Sequence, residues 1–184
     1  NCYSSATLNT TNSYAVGGIV GKLSGIALID TCVYENDSIQ DLGASGKVGG
    51  ICGEIYFDSQ LKGYVRNCTA TANFIVKVQA GMLCGYANSG IIENCNVYGS
   101  LYVASSGGGS ATAKGTFIGQ CYTTDVENCN SYATMEISPD INVEDTGGFV
   151  GYWMGSSYCI NCTTHADIIL GVGRSGGYIG GFVG

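Results

Sequence analysis

Apolar or small residues alternate with polar ones along most of this chain, and the alternation returns at a regular interval. Six short pairs mark it: Asn1-Cys2, Thr31-Cys32, Asn67-Cys68, Asn94-Cys95, Asn128-Cys129 and Asn161-Cys162. Four residues after most of these cysteines stands a small residue (Ala6, Ala72, Gly99, Ala133, Ala166), and two further on an apolar one (Leu8, Phe74, Leu101, Met135, Ile168). The second copy departs, carrying Asn36 and Ser38 at those places. Even offsets put the cysteine, the small residue and the large one on the same side of a strand, because alternate side chains share a face. Three residues before the cysteine lies a further apolar position, held by Ile29, Val65, Ile92 and Val126, with Cys159 in the last copy. Each repeat therefore reads as two or three short strands separated by Gly and Ser turns, and no 3.6-residue stripe predicts a helix.

Between these pairs runs a second signal. A pentapeptide of Gly, any residue, two apolar or thiol residues and Gly begins at Gly17, Gly49, Gly81, Gly115, Gly147 and Gly180, with successive starts 32, 32, 34, 32 and 33 residues apart. A repeat of this length that cannot bury its own apolar face predicts an all-β solenoid. Six coils of about 33 residues, stacked in parallel and in register roughly 4.8 Å apart, form a single repeat domain over 1–184 and a rod segment about 25–30 Å long. A corner that recurs in every coil needs positive φ or close backbone approach, and glycine supplies both. The competing reading, a phosphate-binding glycine loop, requires a helix after each copy and finds none. Polar stretches from Ala104 to Lys114, Ser138 to Thr146 and Tyr56 to Gly63 are expected to be loops protruding from the rod.

Composition narrows the function. The 184 residues include 30 Gly, 10 Cys, one Pro and one His, with 14 acidic and 7 basic residues giving a net charge of −7. So few cations argue against nucleic acid, whose binding rests on Lys and Arg neutralising phosphates. Charged residues make up 11% and apolar ones 45%, which excludes a charged disordered tail and a coiled coil. A single histidine excludes two-histidine zinc sites. No apolar run reaches membrane-span length, so no membrane insertion of this segment is expected.

The alternating Asn-Cys and Gly-Gly-Phe-Val-Gly signatures, the latter at Gly147–Gly151 and Gly180–Gly184, resemble the GLUG-type repeats of surface and secreted proteins, including non-catalytic repeat regions of some immunoglobulin A peptidases. The resemblance spans nearly the whole chain. It implies a right-handed parallel β-helix serving as stalk, adhesin or spacer, with no activity in the repeat itself. The many cysteines, and the lack of the strict Leu of that motif, are departures.

Ten cysteines, an even number, suit a disulfide framework in an oxidising, extracellular compartment. Stacking places equivalent cysteines of adjacent coils within the Cα separation that a disulfide accepts. Cys52 with Cys84 is the first expected bond. The column cysteines pair as Cys2 with Cys32, Cys68 with Cys95 and Cys129 with Cys162, or in the other parity as Cys32 with Cys68 and Cys95 with Cys129. Cys121 and Cys159 remain, with different offsets. Packed thiols are the other structural reading. Cys159-Ile-Asn-Cys162 is half of a zinc site, but a second half at suitable spacing is missing, and a redox role would want the motif to open a helix. No metal and no cofactor are expected.

Four sequons, at Asn9, Asn36, Asn67 and Asn161, are candidates for N-glycosylation, and strand parity turns Asn67 and Asn161 outward. Stacked asparagines can instead form an amide ladder. Catalytic material is sparse. His165 is expected to face solvent without a nucleophile partner. Asp30, Glu93 and Glu127 share the position two before the cysteine, where a charge ladder with Arg66 is simpler than a cation or polysaccharide site. The 13 Tyr and Trp153 offer sugar-stacking surface as well as ordinary strand residues. The sequence thus predicts a non-enzymatic extracellular solenoid that forms a rigid stalk or filament segment at a cell surface. Its expected partners are head-to-tail copies or further repeats of its own chain, and possible glycans. The alternative is a polysaccharide-binding or polysaccharide-cleaving β-helix.

Overall fold

The computed structural model describes residues 1–11, 13–43, 45–57, 62–104, 113–139, 145–171 and 177–184. Among them every regular element is a strand, and every pairing between strands is parallel and joins one coil to the next. The chain is a β-solenoid of about five turns, as the repeat predicts.

Each turn runs through four strand positions rather than two or three, the first of them split in two in the first two turns, as Tyr3–Ser4 with Leu8–Thr10 and Val33–Glu35 with Ile39–Asp41. The first belongs to a long sheet that includes Thr69–Val76, Asn96–Val103 and Asn130–Ile137. A short sheet follows, with Gln79–Gly81, Lys114–Gly115 and Asp145–Gly147. The third sheet leaves the pentapeptide as Cys52–Tyr56, Cys84–Asn88, Ile118–Tyr122 and Val150–Met154, and is called here the tyrosine sheet. The fourth, the charge sheet, holds Leu28–Asp30, Gly63–Arg66, Gly90–Glu93 and Asp125–Glu127. The short strand escapes sequence reading because it runs straight into the pentapeptide without a polar break.

Register follows the two motifs. Val65 pairs with Ile29 and Ile92, Cys84 with Cys52 and Ile118, and Gly81 with Gly115. Alternation along Thr69–Val76 buries Ala70, Ala72, Phe74 and Val76, and the same parity buries Val97, Leu101 and Val103 one coil on. Phe117 stacks on Phe149 and Phe149 on Phe182, with ring centroids 4.5 and 4.7 Å apart. A fully buried side chain of this size contributes about 1.5–3 kcal/mol. The departure at Asn36 and Ser38 proves to be an extra residue: Ile39, seven after Cys32, takes the row of Leu8 and Phe74. The Asn36 carboxamide closes the resulting kink, its oxygen accepting from the Ser38 N–H at 2.9 Å.

Two corners have a fixed length. Between the charge and long sheets there are always two residues: 31–32, 67–68, 94–95, 128–129 and 161–162. Between the short and tyrosine sheets there are again two, as at 49–52, 81–84 and 115–118, counted between the strand ends. The other two corners vary. From the tyrosine to the charge sheet the connection runs from one residue, Ser89, to the six of 57–62, and from the long to the short sheet it runs from two, 77–78, to the ten of 104–113. The stretches expected to be loops sit on these variable corners, but most of their residues lie outside the described ones. Two of their ends belong to the core: Lys114 and Thr146 are fully buried strand residues.

The glycines of the pentapeptide work by close approach, and none of them is at positive φ. A Cβ on the first, Gly115, would lie 2.0 Å from the Ile118 carbonyl oxygen of its own corner. A Cβ on the last, Gly151, would lie 2.5 Å from the Lys114 backbone nitrogen of the neighbouring coil. The first glycine therefore closes the corner and the last sets the spacing between coils. At the Asn-Cys corner, by contrast, residues other than glycine take positive φ: Thr31, Asn67, Asn94, Asn128 and Asn161 all lie at 53–56°. Asparagine tolerates this left-handed conformation better than other side chains. That is the backbone reason for the Asn-Cys pair.

Candidate functional site

The cysteine corner is built from the residue before it. The left-handed Asn turns the chain, its N–H donating to the next coil, as from Asn67 to Glu93 O at 3.1 Å. The following cysteine turns inward and its thiol donates to the carbonyl two residues back: Cys68 to Arg66 at 3.1 Å, Cys95 to Glu93 at 3.2 Å and Cys129 to Glu127 at 3.1 Å. Cys32 and Cys162 do the same with Asp30 and Ile160. On the tyrosine sheet, Cys52 and Cys84 donate to the Glu54 and Tyr86 carbonyls.

None of the expected disulfides is present. Cys2, Cys32, Cys52, Cys68, Cys84, Cys95, Cys121, Cys129, Cys159 and Cys162 are all free thiols. The stacking on which the pairings rested is correct, yet in a parallel in-register ladder Cβ atoms repeat at the strand spacing of about 4.8 Å. A disulfide needs Cβ atoms about 3.5–4.5 Å apart. A ladder of this kind suits a disulfide by its Cα separation but not by its Cβ separation. Packed, hydrogen-bonded thiols are what the structure contains. Burial pushes the thiols of Cys84 and Cys95 well up and those of Cys121 and Cys129 to about 12. Cys162, half-buried, is lowered because Cys129 and Cys159 hydrogen-bond to its sulfur. Among the described residues, no group of three or more His, Cys, Asp or Glu could hold a metal ion.

On the charge sheet Asp30, Arg66, Glu93 and Glu127 fall in one register row. Arg66 donates to Asp30 Oδ2 through Nε at 3.0 Å and through its terminal nitrogen at 2.9 Å, while its approach to Glu93 is looser, at 3.9 Å. The Asn67 amide, then Arg66 and the Thr31 hydroxyl, hold the Asp30 carboxyl at about 2, below its ordinary 3.8. Glu127 accepts from the Tyr158 hydroxyl at 2.8 Å. The row is a solvated charge ladder in which these carboxylates already have partners.

The candidate glycosylation residues lie in different settings. Asn9 is an exposed strand residue. Asn36 spends its amide on the Ser5 carbonyl and the Thr7 hydroxyl. Asn67 and Asn161 are exposed as parity predicts, with amides reaching Asp30 at 2.9 Å and Asn128 at 3.2 Å. A second amide ladder, just after the cysteines, runs from Asn130 to Asn96 at 2.9 Å. His165 is exposed and stacks on Tyr132, which stacks in turn on Tyr98. Trp153 is not part of a surface patch: it packs against the core and its indole N–H donates to Ser157 at 2.7 Å.

The feature hidden from the sequence is the outer face of the tyrosine sheet. One register row reads Lys22, Glu54, Tyr86, Gln120, Tyr152, and the next reads Ser24, Tyr56, Asn88, Tyr122, Met154. Glu54 is only 2% exposed and is held by Lys47 at 3.1 Å and Lys22 at 3.7 Å. Lys47 lies 4.4 Å from the Tyr14 ring centroid and 4.9 Å from that of Tyr86, and Lys22 lies 5.4 Å from that of Tyr56. Burial alone would lower the Lys47 amine, but Glu54 and Tyr14 outweigh it and raise it. This cluster ties three coils together. Where the sheet meets the variable corner, a groove of about 720 Å³ runs across several coils, lined by residues that include Tyr56, Asn88, Ser89, Tyr122, Thr123 and Lys62. Only the tyrosines were legible as candidates, because their companions meet across coils at spacings no motif marks.

Neither a protein-family model, nor a curated protein, nor a solved structure matches this chain at a significant level.

Proposed function

We propose that this chain is a non-enzymatic structural or adhesive solenoid: a rigid segment of an extracellular stalk or filament. The observation that carries the reading is the pair of fixed corners. Two residues close each of them at every level, one through left-handed Asn or Thr and cysteine, the other behind a first glycine that admits no Cβ. Such a coil repeats with constant pitch and little freedom to bend. The engagement of Asp30, Glu93 and Glu127 in the charge ladder, and the stacking of His165 on Tyr132, favour this over a polysaccharide-cleaving role. With the thiols free, the extracellular assignment rests on the GLUG-type resemblance and on the outward sequons Asn9, Asn67 and Asn161. The terminal strands Tyr3–Ser4 and Ile168–Leu170 belong to the same long sheet as the inner ones, so further repeats or a second copy would continue the stack.

Negative-stain electron microscopy over a range of concentrations tests the reading. Straight particles of constant width, lengthening by end-to-end contact, are expected. Globular particles without a long axis would overturn it. Protease added to intact source cells should remove the segment, and full protection would refute a surface location.

A further inference from the structure

We propose that the groove at the edge of the tyrosine sheet is a binding site for a neutral, linear oligosaccharide laid parallel to the solenoid axis. Its floor is the row Tyr56, Asn88, Tyr122, three consecutive levels in exact register. Two tyrosines two levels apart stand roughly 9–10 Å from each other along the axis, about the length of a disaccharide. Tyr56 is 48% exposed, and Tyr122 lines the same groove while half-buried. Aromatic rings offer faces to the C–H surfaces of sugars, and their hydroxyls remain wet.

Between the rings lies a polar set suited to a pair of neighbouring sugar hydroxyls. The Asn88 carboxamide oxygen accepts from the hydroxyls of Ser89 at 3.0 Å and Thr123 at 3.1 Å, and those two oxygens are themselves 3.1 Å apart. This arrangement fixes the carboxamide, leaving the Asn88 NH₂ as donor and the hydroxyl lone pairs as acceptors. Sugar hydroxyls supply both complements.

The alternatives are disfavoured by the same surroundings. An extended peptide would need unpaired backbone groups to pair with. Here Phe57 N–H donates to Asn88 O, Ser89 N–H to Tyr122 O and Thr123 N–H to Met154 O, at 3.0–3.2 Å. A charged ligand would need a free cation, yet Lys62 at the rim is paired with Asp125, and Glu54 holds Lys22 and Lys47. The groove lining thus offers aromatic faces and hydrogen bonds, and its cation Lys62 is balanced by Asp125.

The test uses the 184-residue chain with neutral β-glucan, mannan and xylan oligosaccharides, acidic oligouronates and an extended-peptide library, read by calorimetry. At least one neutral oligosaccharide should bind. Tyr122→Ala and Tyr56→Ala should each weaken it roughly tenfold, and Asn88→Ala similarly, with unchanged circular dichroism. Tyr98→Ala, on a different sheet, should leave binding intact. Absence of binding to every neutral glycan, preference for uronates with steep salt dependence, capture of peptides instead, or equal loss in Tyr98→Ala would each overturn the proposal.

Discussion

Placing a methyl group on Gly115 tests whether the glycines set the geometry of the rod. An ideal Cβ there would lie 2.0 Å from the Ile118 oxygen, 2.6 Å from the Gly151 nitrogen and 2.7 Å from the Phe149 oxygen. All three are backbone atoms, in the same corner and the adjoining coil, so no side chain can rotate away and the corner itself must open. Overpacking in a tight interior costs about 1–3 kcal/mol, and a clash against backbone belongs at the upper end. In a domain of this size each kcal/mol moves the melting midpoint by about 2–4 °C, so Gly115→Ala should lower it by roughly 6–12 °C. Two controls separate crowding from other effects. Gly25, with φ +76° and nothing within 4 Å of its Cβ position, should lose only the strain of a left-handed alanine, about 1–2 kcal/mol. Gly181 has open space and no positive φ, so alanine there should be neutral or slightly stabilising, by at most about 1 kcal/mol. Thermal melts by circular dichroism supply the ranking. If Gly115→Ala melts together with Gly181→Ala, close approach is not why glycine stands in the pentapeptide.

Three further outcomes follow from the corners and the thiols. Asn128, at φ 53°, should be replaced by glycine with little change but by alanine at a cost of about 1–2 kcal/mol, measured by urea unfolding; equal midpoints would refute left-handed strain as the reason for the Asn column. In denaturant without reductant all ten thiols should titrate, while in the native state Cys2 and Cys162 are alkylated and the seven buried cysteines are not; mass spectrometry showing a stoichiometric disulfide would contradict this. Asp30 titrates lower in the folded chain than in the unfolded one, so its contribution is present above about pH 4 and lost as pH falls towards 2. Asp30→Asn should remove that part of the acid-induced drop in melting midpoint, and an unchanged pH profile would show that its partners do not stabilise the fold.

How much was legible depended on where each feature sits along the chain. Both fixed corners are local, so Asn67-Cys68 and Gly81–Gly85 announce them directly, and the coil count and register follow. The short strand at Lys114–Gly115 was hidden because two residues carry no period. The role of the asparagines is not legible because a left-handed turn is expected at glycine first, whereas here Asn67, Asn94, Asn128 and Asn161 carry it. The expected disulfides do not form because stacking sets the Cα spacing they need but not the Cβ spacing. The tyrosine-sheet groove was unreadable for a different reason: Tyr56, Asn88 and Tyr122 are 32 and 34 residues apart and belong to no motif, and only stacking makes them neighbours.

The contrast between fixed and variable corners divides the surface of the rod by what it tolerates. Along two of its four edges, an added residue would break the pitch for every coil above. Along the other two, length already changes from level to level while the sheets beside them stay in register. Those edges are open to rewriting: a foreign segment inserted at 104–113 should leave the stack intact, whereas one inserted between Asn94 and Cys95 should not. The same scaffold could therefore carry different attachments at successive levels without altering its core.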